Sequence, residues 1–261
     1  MGRLLSLSVI FISIFAFQSC TVNNVTVDDS IGKIFDSHQL KGSFGMFDNS
    51  RGEFTIYELE AFKKNQSPGQ SFHIFSSLVA LHTGKLNDPS SLIKGTDSSM
   101  MSLQDAFKAN DENHLNAMAQ LVGKDVMKTW IDSVKYGNRK LGKEGEWYWS
   151  NDSLTISPDE QLGLIKRLYF KQHPFRASVQ EAVKKMLIVE NNTSYQLAYQ
   201  TSSTVRGQQR VGWVIGWIEE NRHVYPFVTY FEGAIDMDVK TKTESLTRDI
   251  LTHIGFFKGI M

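Results

Sequence analysis

Strand-like patterning is confined to the two ends of this chain, and that constrains its fold more than any other feature. Near the start, residues 43–48 and 53–57 are short apolar and aromatic runs separated by Asn49-Ser50-Arg51-Gly52, which is hairpin punctuation. In the last third, residues 194–201, 211–219 and 224–232 are β-rich and divided by polar turns. The stretch between follows a helical period. Phe72, Phe75, Leu78, Val79 and His82 fall on one face, with Pro68-Gly69 marking the entry. Leu115, Met118, Ala119 and Val122 repeat in the same way, with Gly123 as a stop, followed by Val126, Trp130, Ile131 and Val134. Ser157-Pro158-Asp159-Glu160 reads as a capping box with proline at the first helical position, launching Leu162, Ile165, Leu168 and Tyr169. Residues 175–189 predict another amphipathic helix, and residues 244–255 a closing one with Leu246, Ile250, Leu251 and Ile254 inward. The simplest packing is an α/β (α+β) domain: an antiparallel sheet built from both chain ends, with a helical region inserted between them. No glycine-rich dinucleotide loop is present, and a Rossmann-type sheet is not needed.

The 261 residues are 41% hydrophobic, enough to build a real core. Lys+Arg and Asp+Glu both number 28, so the chain has no general electrostatic pull on nucleic acid, and no such partner is expected. The single cysteine is Cys20, so no disulfide can staple the domain. It stands directly after Arg3, a mostly apolar run over residues 4–17, and the small residue Ser19. A bilayer-spanning helix needs about 20 apolar residues, so this run suits a signal h-region better. The segment resembles a bacterial lipoprotein signal, in which the cysteine is lipidated and becomes the new N-terminus. An ordinary secretory signal with a chance cysteine is the alternative. The expected organisation is a signal peptide at 1–19, a tether at 20–30 and a domain at 31–261. The domain would be held to a membrane through Cys20 on the periplasmic side of the cell envelope.

Several segments, taken in order, resemble the class D serine β-lactamases. Lys41-Gly42-Ser43-Phe44-Gly45-Met46-Phe47-Asp48 is similar to their first strand, and Ser77-Leu78-Val79-Ala80-Leu81-His82-Thr83-Gly84 to the helix bearing their nucleophile. Tyr136-Gly137-Asn138 matches their Tyr-Gly-Asn motif. Trp147-Tyr148-Trp149 with Ser153-Leu154-Thr155-Ile156-Ser157 resembles the segment of their active-site tryptophan, placed here at Trp149. Val211-Gly212-Trp213-Val214-Ile215-Gly216-Trp217 is similar to their Gly-Trp strand. The resemblance implies the fold of the penicillin-recognising serine enzymes. It also implies a chemistry: a serine at a helix start attacks a lactam carbonyl, and a lysine one turn later, thought to be carboxylated, is the base. A Ser-X-Val loop relays protons, and a Lys-Thr-Gly strand with a later arginine holds the carboxylate of the drug.

The chain departs from each of these needs. The motif Pro-X-Ser-Thr-Phe-Lys aligns with Pro68-Gly69-Gln70-Ser71-Phe72-His73. Gln70 therefore takes the nucleophile position, where an amide nitrogen cannot serve, and His73 takes the base position. The relay reads Asn110-Asp111-Glu112, the anchor strand Gln200-Thr201-Ser202, and the arginine position falls near Thr243, with Arg248 on a different face. Ser71 is the alternative nucleophile, but the base position on its own face falls at Ile74 or Phe75. The expectation is a catalytically degenerate homologue with a binding or structural role; the alternative is a weak β-lactam hydrolase or penicillin-binding protein acylated at Ser71. A ligand would be a β-lactam or, with the cations lost, an uncharged polar molecule lined by Gln70, His73, Asn110, Gln200 and Thr201. No cofactor is expected. His73 with Asp111 or Glu112 matches no known metal-site spacing, and a buried, hydrogen-bonded histidine is the simpler reading. His114, His173, His223 and His253 are expected at the surface, Trp213 and Trp217 in the core, and Lys63-Lys64 and Lys184-Lys185 on solvated faces. Oligomeric state is not encoded in any motif.

Overall fold

A computed structural model describes residues 24–143 and 148–258. Cys20, its preceding apolar run and Trp147 lie outside them. The elements run β1 (Val25–Val27), α1 (Gly32–Ser37), β2 (Lys41–Asp48), β3 (Glu53–Tyr57), α2 (Leu59–Phe62), α3 (Phe72–His82), β4 (Leu92–Lys94), β5 (Met100–Ser102), α4 (Leu103–Ala109), α5 (Glu112–Val122), α6 (Lys124–Val134), α7 (Pro158–Tyr169), α8 (Ala177–Met186), β6 (Ile188–Asn191), β7 (Tyr195–Arg206), β8 (Gln209–Glu220), β9 (His223–Ala234) and α9 (Val239–Ile254). Seven strands form one sheet in the order β1-β3-β2-β9-β8-β7-β6. The chain ends meet where β2 pairs antiparallel with β9, with Gly42 opposite Phe231 and Gly45 opposite Val228. The sheet from both ends and the inserted helical region are thus as the strand pattern predicts.

Three stretches differ from their sequence reading. Residues 25–27, inside the expected tether, add a parallel edge strand to β3, because alternating valines can pair wherever an edge is open. The helix expected over 175–189 stops at Met186, and Ile188–Asn191 pairs with β7 instead. The hairpin of β4 and β5 carries too few residues to leave a periodic signal. The capping box is formed as expected: Ser157 Oγ accepts from the Glu160 N–H while the Glu160 carboxylate accepts from the Ser157 N–H.

β8 is the middle of the architecture. It is buried on both faces, so it reads as a continuous apolar run rather than an alternation. Trp213, Ile215 and Trp217 point into the core shared with α3, α5 and α7. Val214 and Ile218 point into a second core with Phe35, Phe44, Phe227, Leu246 and Ile250. Both tryptophans are fully buried, as expected of core residues. Gly212 and Gly216 let β8 lie close against β7: a Cβ on Gly216 would sit 1.9 Å from the Ala198 carbonyl oxygen, and one on Gly212 2.1 Å from that of Ser202. Gly163, within α7, has only the Arg167 guanidinium nearby, at 3.5 Å.

Gly216→Ala is therefore expected to lower stability by about 1–3 kcal/mol or more, whereas Gly163→Ala should be neutral or stabilising by up to ~1 kcal/mol. Urea unfolding of the two variants checks this, and equal effects would refute the close β7–β8 approach.

Candidate functional site

The segment ahead of α3 is fixed by backbone groups. Gly69 takes a left-handed conformation (φ +52°), open to glycine at little cost, and starts a single 3-10 turn, Gly69–Ser71, that runs into α3. The Gly69 N–H and the Ser67 hydroxyl both donate to the Trp149 carbonyl, at 2.7 and 2.8 Å. The Trp213 indole N–H donates to the Ser67 carbonyl at 3.0 Å. The residue-149 loop, the turn and β8 are thereby locked together. The Trp149 ring stacks on Phe72, with centroids 5.4 Å apart, and meets His73 edge-on at 5.7 Å, so it packs against the start of the helix.

Gln70 and His73 are both buried and bonded to each other. His73 Nε2 lies 2.6 Å from Gln70 Oε1 and 3.0 Å from Asn116 Oδ1, while Nδ1 lies 3.2 Å from Ser76 Oγ. Two carbonyl oxygens require Nε2 to carry the proton, which leaves Nδ1 to accept from Ser76. Burial pushes the imidazole down to about 4, against a smaller upward pull from Asn116, so His73 is neutral at physiological pH. Its one lone pair faces Ser76 rather than the nucleophile position.

Ser71 sits on another side of the turn. Its hydroxyl donates to the Pro68 carbonyl at 2.6 Å and accepts from Gln161 Nε2 at 3.1 Å. It lines an interior cavity of about 20 Å³ with Ile74, Phe75, Tyr136, Gln161 and His173. Among the described residues no imidazole, carboxylate or amine is hydrogen-bonded to this hydroxyl. Gln161 also approaches Tyr136 OH at 3.4 Å.

On the sheet side, Gln200 and Ser202 stand opposite Ile215 and Trp213, so they face the helical layer, and both are buried. Gln200 Nε2 reaches Asn110 Oδ1 at 3.5 Å, and Asn110 holds a left-handed conformation at the end of α4. Gln200 Oε1 and Ser202 Oγ have no hydrogen-bond partner among the described residues. Thr201 points to the other face, where the Thr243 hydroxyl lies 3.4 Å away. That contact puts residue 243 against β7. Arg248 instead pairs with Glu190 at the sheet edge.

Several expected placements need correction. Gln70 and His73 are buried and do not line an open cleft, whereas Gln200, with Asn110 and Thr201, borders a cavity of about 800 Å³ that Lys108, Lys240 and Arg248 also line. His73, bonded to Gln70, Asn116 and Ser76, is the buried, hydrogen-bonded histidine of the simpler reading. Asp111 caps α5 and bonds His114 Nδ1 at 2.8 Å, and Glu112 is exposed. His114 and His173 are buried rather than at the surface, because their ring nitrogens find partners in Asp111, Ser99 and the Leu164 carbonyl. Lys184 lies 4.0 Å over the Tyr169 ring, so its stem is packed rather than solvated. Asn116, Ser76 and Gln161 escaped the sequence reading. The only signal for them was a polar residue set within a buried helical stretch.

Chain-wide comparison agrees with this geometry. Residues 32–252 match the family described as the penicillin binding protein transpeptidase domain. The regulatory protein BlaR1 of Bacillus licheniformis is 28% identical over 235 residues, which is 85% of this chain and 39% of that protein; the chain thus spans well under half of it. β-Lactamase OXA-2 of Salmonella typhimurium is 27% identical over 232 residues, covering 85% of this chain and 83% of the enzyme. The crystal structure of the class D β-lactamase YbXI from Nostoc superposes with a TM-score of 0.82 at 25% identity, covering 87% of this chain and 99% of that one.

The buried imidazole carries a pH signature. Its folded pKa lies near 4 and its free value at 6.5, so between these the unfolded chain binds more protons. Stability from this group is complete above about pH 6.5 and is lost as pH falls through about 4. His73→Gln should flatten the fall in unfolding free energy between pH 7 and 4 by on the order of 3 kcal/mol. Denaturant titrations across that range check the slope, and an unchanged slope would refute a buried neutral His73.

Proposed function

The chain belongs to the penicillin binding protein transpeptidase family, and we propose that within it this is a class D β-lactamase-like protein that has lost acylation chemistry and serves a binding or structural role. The observation that carries the reading is the state of the two candidate nucleophiles. At the aligned position stands the Gln70 amide, bonded to a neutral His73 whose free lone pair faces elsewhere. The neighbouring hydroxyl of Ser71 is engaged by Pro68 and Gln161, neither of which can accept its proton during attack. A nucleophile without a base lacks what acyl transfer requires. Export with lipidation at Cys20, holding the domain at the envelope, belongs to the same reading and rests on the sequence pattern alone.

The second reading, a weak hydrolase or penicillin-binding protein acylated at Ser71, draws on relatives named as β-lactamases and as a regulatory protein. It needs Ser71 to turn from the interior cavity toward the cleft and to find a base there.

Incubation with several penicillins followed by intact-mass measurement separates the two. No adduct is expected on the wild-type chain, and a covalent adduct mapping to Ser71 would overturn the proposal. The double substitution Gln70→Ser with His73→Lys is expected to yield a detectable acyl adduct, since it returns a hydroxyl and an amine to one helical face. No gain would place further loss in the Asn110 and Gln200 positions.

A further inference from the structure

Gly163 lies inside α7 in ordinary helical conformation, where glycine is disfavoured relative to alanine. Packing does not demand it either. A Cβ there would meet only the Arg167 guanidinium, in ordinary contact at 3.5 Å. What the missing side chain keeps open is the floor of a cavity of about 540 Å³, bordered by α7, the end of α6 and Phe54 of β3. That volume is in the range of small-molecule pockets, roughly 300–1,000 Å³. Phe54, Val134, Leu162 and Leu164 give it an apolar wall. None of the residues aligned with the acylation machinery borders it.

Three cations line the same cavity, Lys135, Lys166 and Arg167, against two carboxylates, Asp159 and Glu160. The Glu160 carboxylate is already engaged in capping α7 at Ser157. Among the described residues none of the three cations lies within ion-pair distance of a carboxylate. Lys166 is held over the Phe47 ring at 3.5 Å, which fixes its ammonium beside the cavity. Arg167 is half-buried, with its guanidinium lying back over Gly163, and burial pushes it below its usual range. Lys166 is pushed down as well, by burial first and then by the charge of Arg167. Adjacent like charges, one of them half-buried without a counter-charge, oppose each other's ionisation, and an anion set between them relieves both.

We infer that the cavity over Gly163 is a second binding site, for a small oxyanion, a carboxylate or a phosphate monoester, carried on an apolar body. The planar guanidinium of Arg167 takes two of its oxygens through parallel N–H bonds. Lys166 and Lys135 add positive charge, and the apolar body lies against Phe54 and Leu162 over the bare surface of Gly163. The site is separate from the cleft at Gln70 and Gln200 and does not depend on whether Ser71 can be acylated.

The test uses benzoate, phenyl phosphate and benzylammonium as probes of similar size, read by saturable NMR shifts of the Gly163 and Arg167 backbone amides. Both anions are expected to shift these resonances, the tighter of the two identifying the oxyanion, and benzylammonium is not. Arg167→Gln should weaken the anions by about tenfold or more, the loss of a charge-assisted hydrogen-bonded contact. Arg167→Lys, which keeps the charge and loses the fork, should fall between wild type and Arg167→Gln. Gly163→Leu should weaken the anions several-fold by filling the floor, while urea unfolding shows no loss of stability, since leucine is the better helix former. Equal or tighter binding of benzylammonium would overturn the proposal, as would the lack of a saturable shift with both anions. Unchanged affinity in Arg167→Gln would also overturn it, and unchanged affinity in Gly163→Leu would remove the glycine from the site. An acyl adduct at Ser71 bears on the cleft alone, so the two readings fail separately.

Discussion

The site depends on the fixing of the turn before α3 to β8, through the Trp213 indole and the paired bonds to the Trp149 carbonyl. Those three hydrogen bonds join parts of the chain that are far apart in sequence. They set where residues 70, 71 and 73 can point. β8 can perform this task because it is buried on both faces and because two glycines bring it close to β7. Its partner strand then presents Gln200 and Ser202 to the helix start. The catalytic-type scaffold is retained by backbone and aromatic contacts, none of which requires the acylation residues.

That independence explains why the fold was legible in the sequence while the site was only partly so. The burial of β8, the helical period from Phe72 and the capping box at Ser157 each leave a repeating pattern. The burial of His114 and His173 was not legible, because the partners of their ring nitrogens, Asp111 and Ser99 for the first and the Leu164 carbonyl for the second, are marked by no periodicity. Nor could the sequence tell that Asn116, rather than Asp111, would face His73. Asp111 is the N-cap of α5 and Asn116 lies within it, and only the roll of the helix decides which points inward. The edge strand β1 was hidden by its length of three residues.

Burial of Gln70 and His73 is compatible with their uncharged side chains. A buried lysine requires a compensating charge, and a buried carboxylate likewise, so an ionic site tends to remain wet and open. Amides and a neutral imidazole carry only the cost of unmet hydrogen bonds. Most of those bonds are met here by Gln70, Asn116 and Ser76 around His73. The downward push that burial exerts on His73 is the other face of this balance.

Among the described residues, unpartnered buried polar atoms occur on β2, β9 and α9, at Ser43, Thr229 and Thr247, as well as on β7. Around His73 the donors and acceptors match, and the ring rests in a fixed tautomer. On β7, Gln200 and Ser202 are held at the same depth with lone pairs unused. A purely structural replacement of the anchor strand could have been apolar at both positions, since replacing both partners of a lost polar interaction with apolar groups is close to neutral. The amide and hydroxyl kept there are polar groups that the described contacts leave only partly used. The polar groups around His73 are satisfied and those on β7 are not, so the amide and hydroxyl of the strand lower stability relative to an apolar pair.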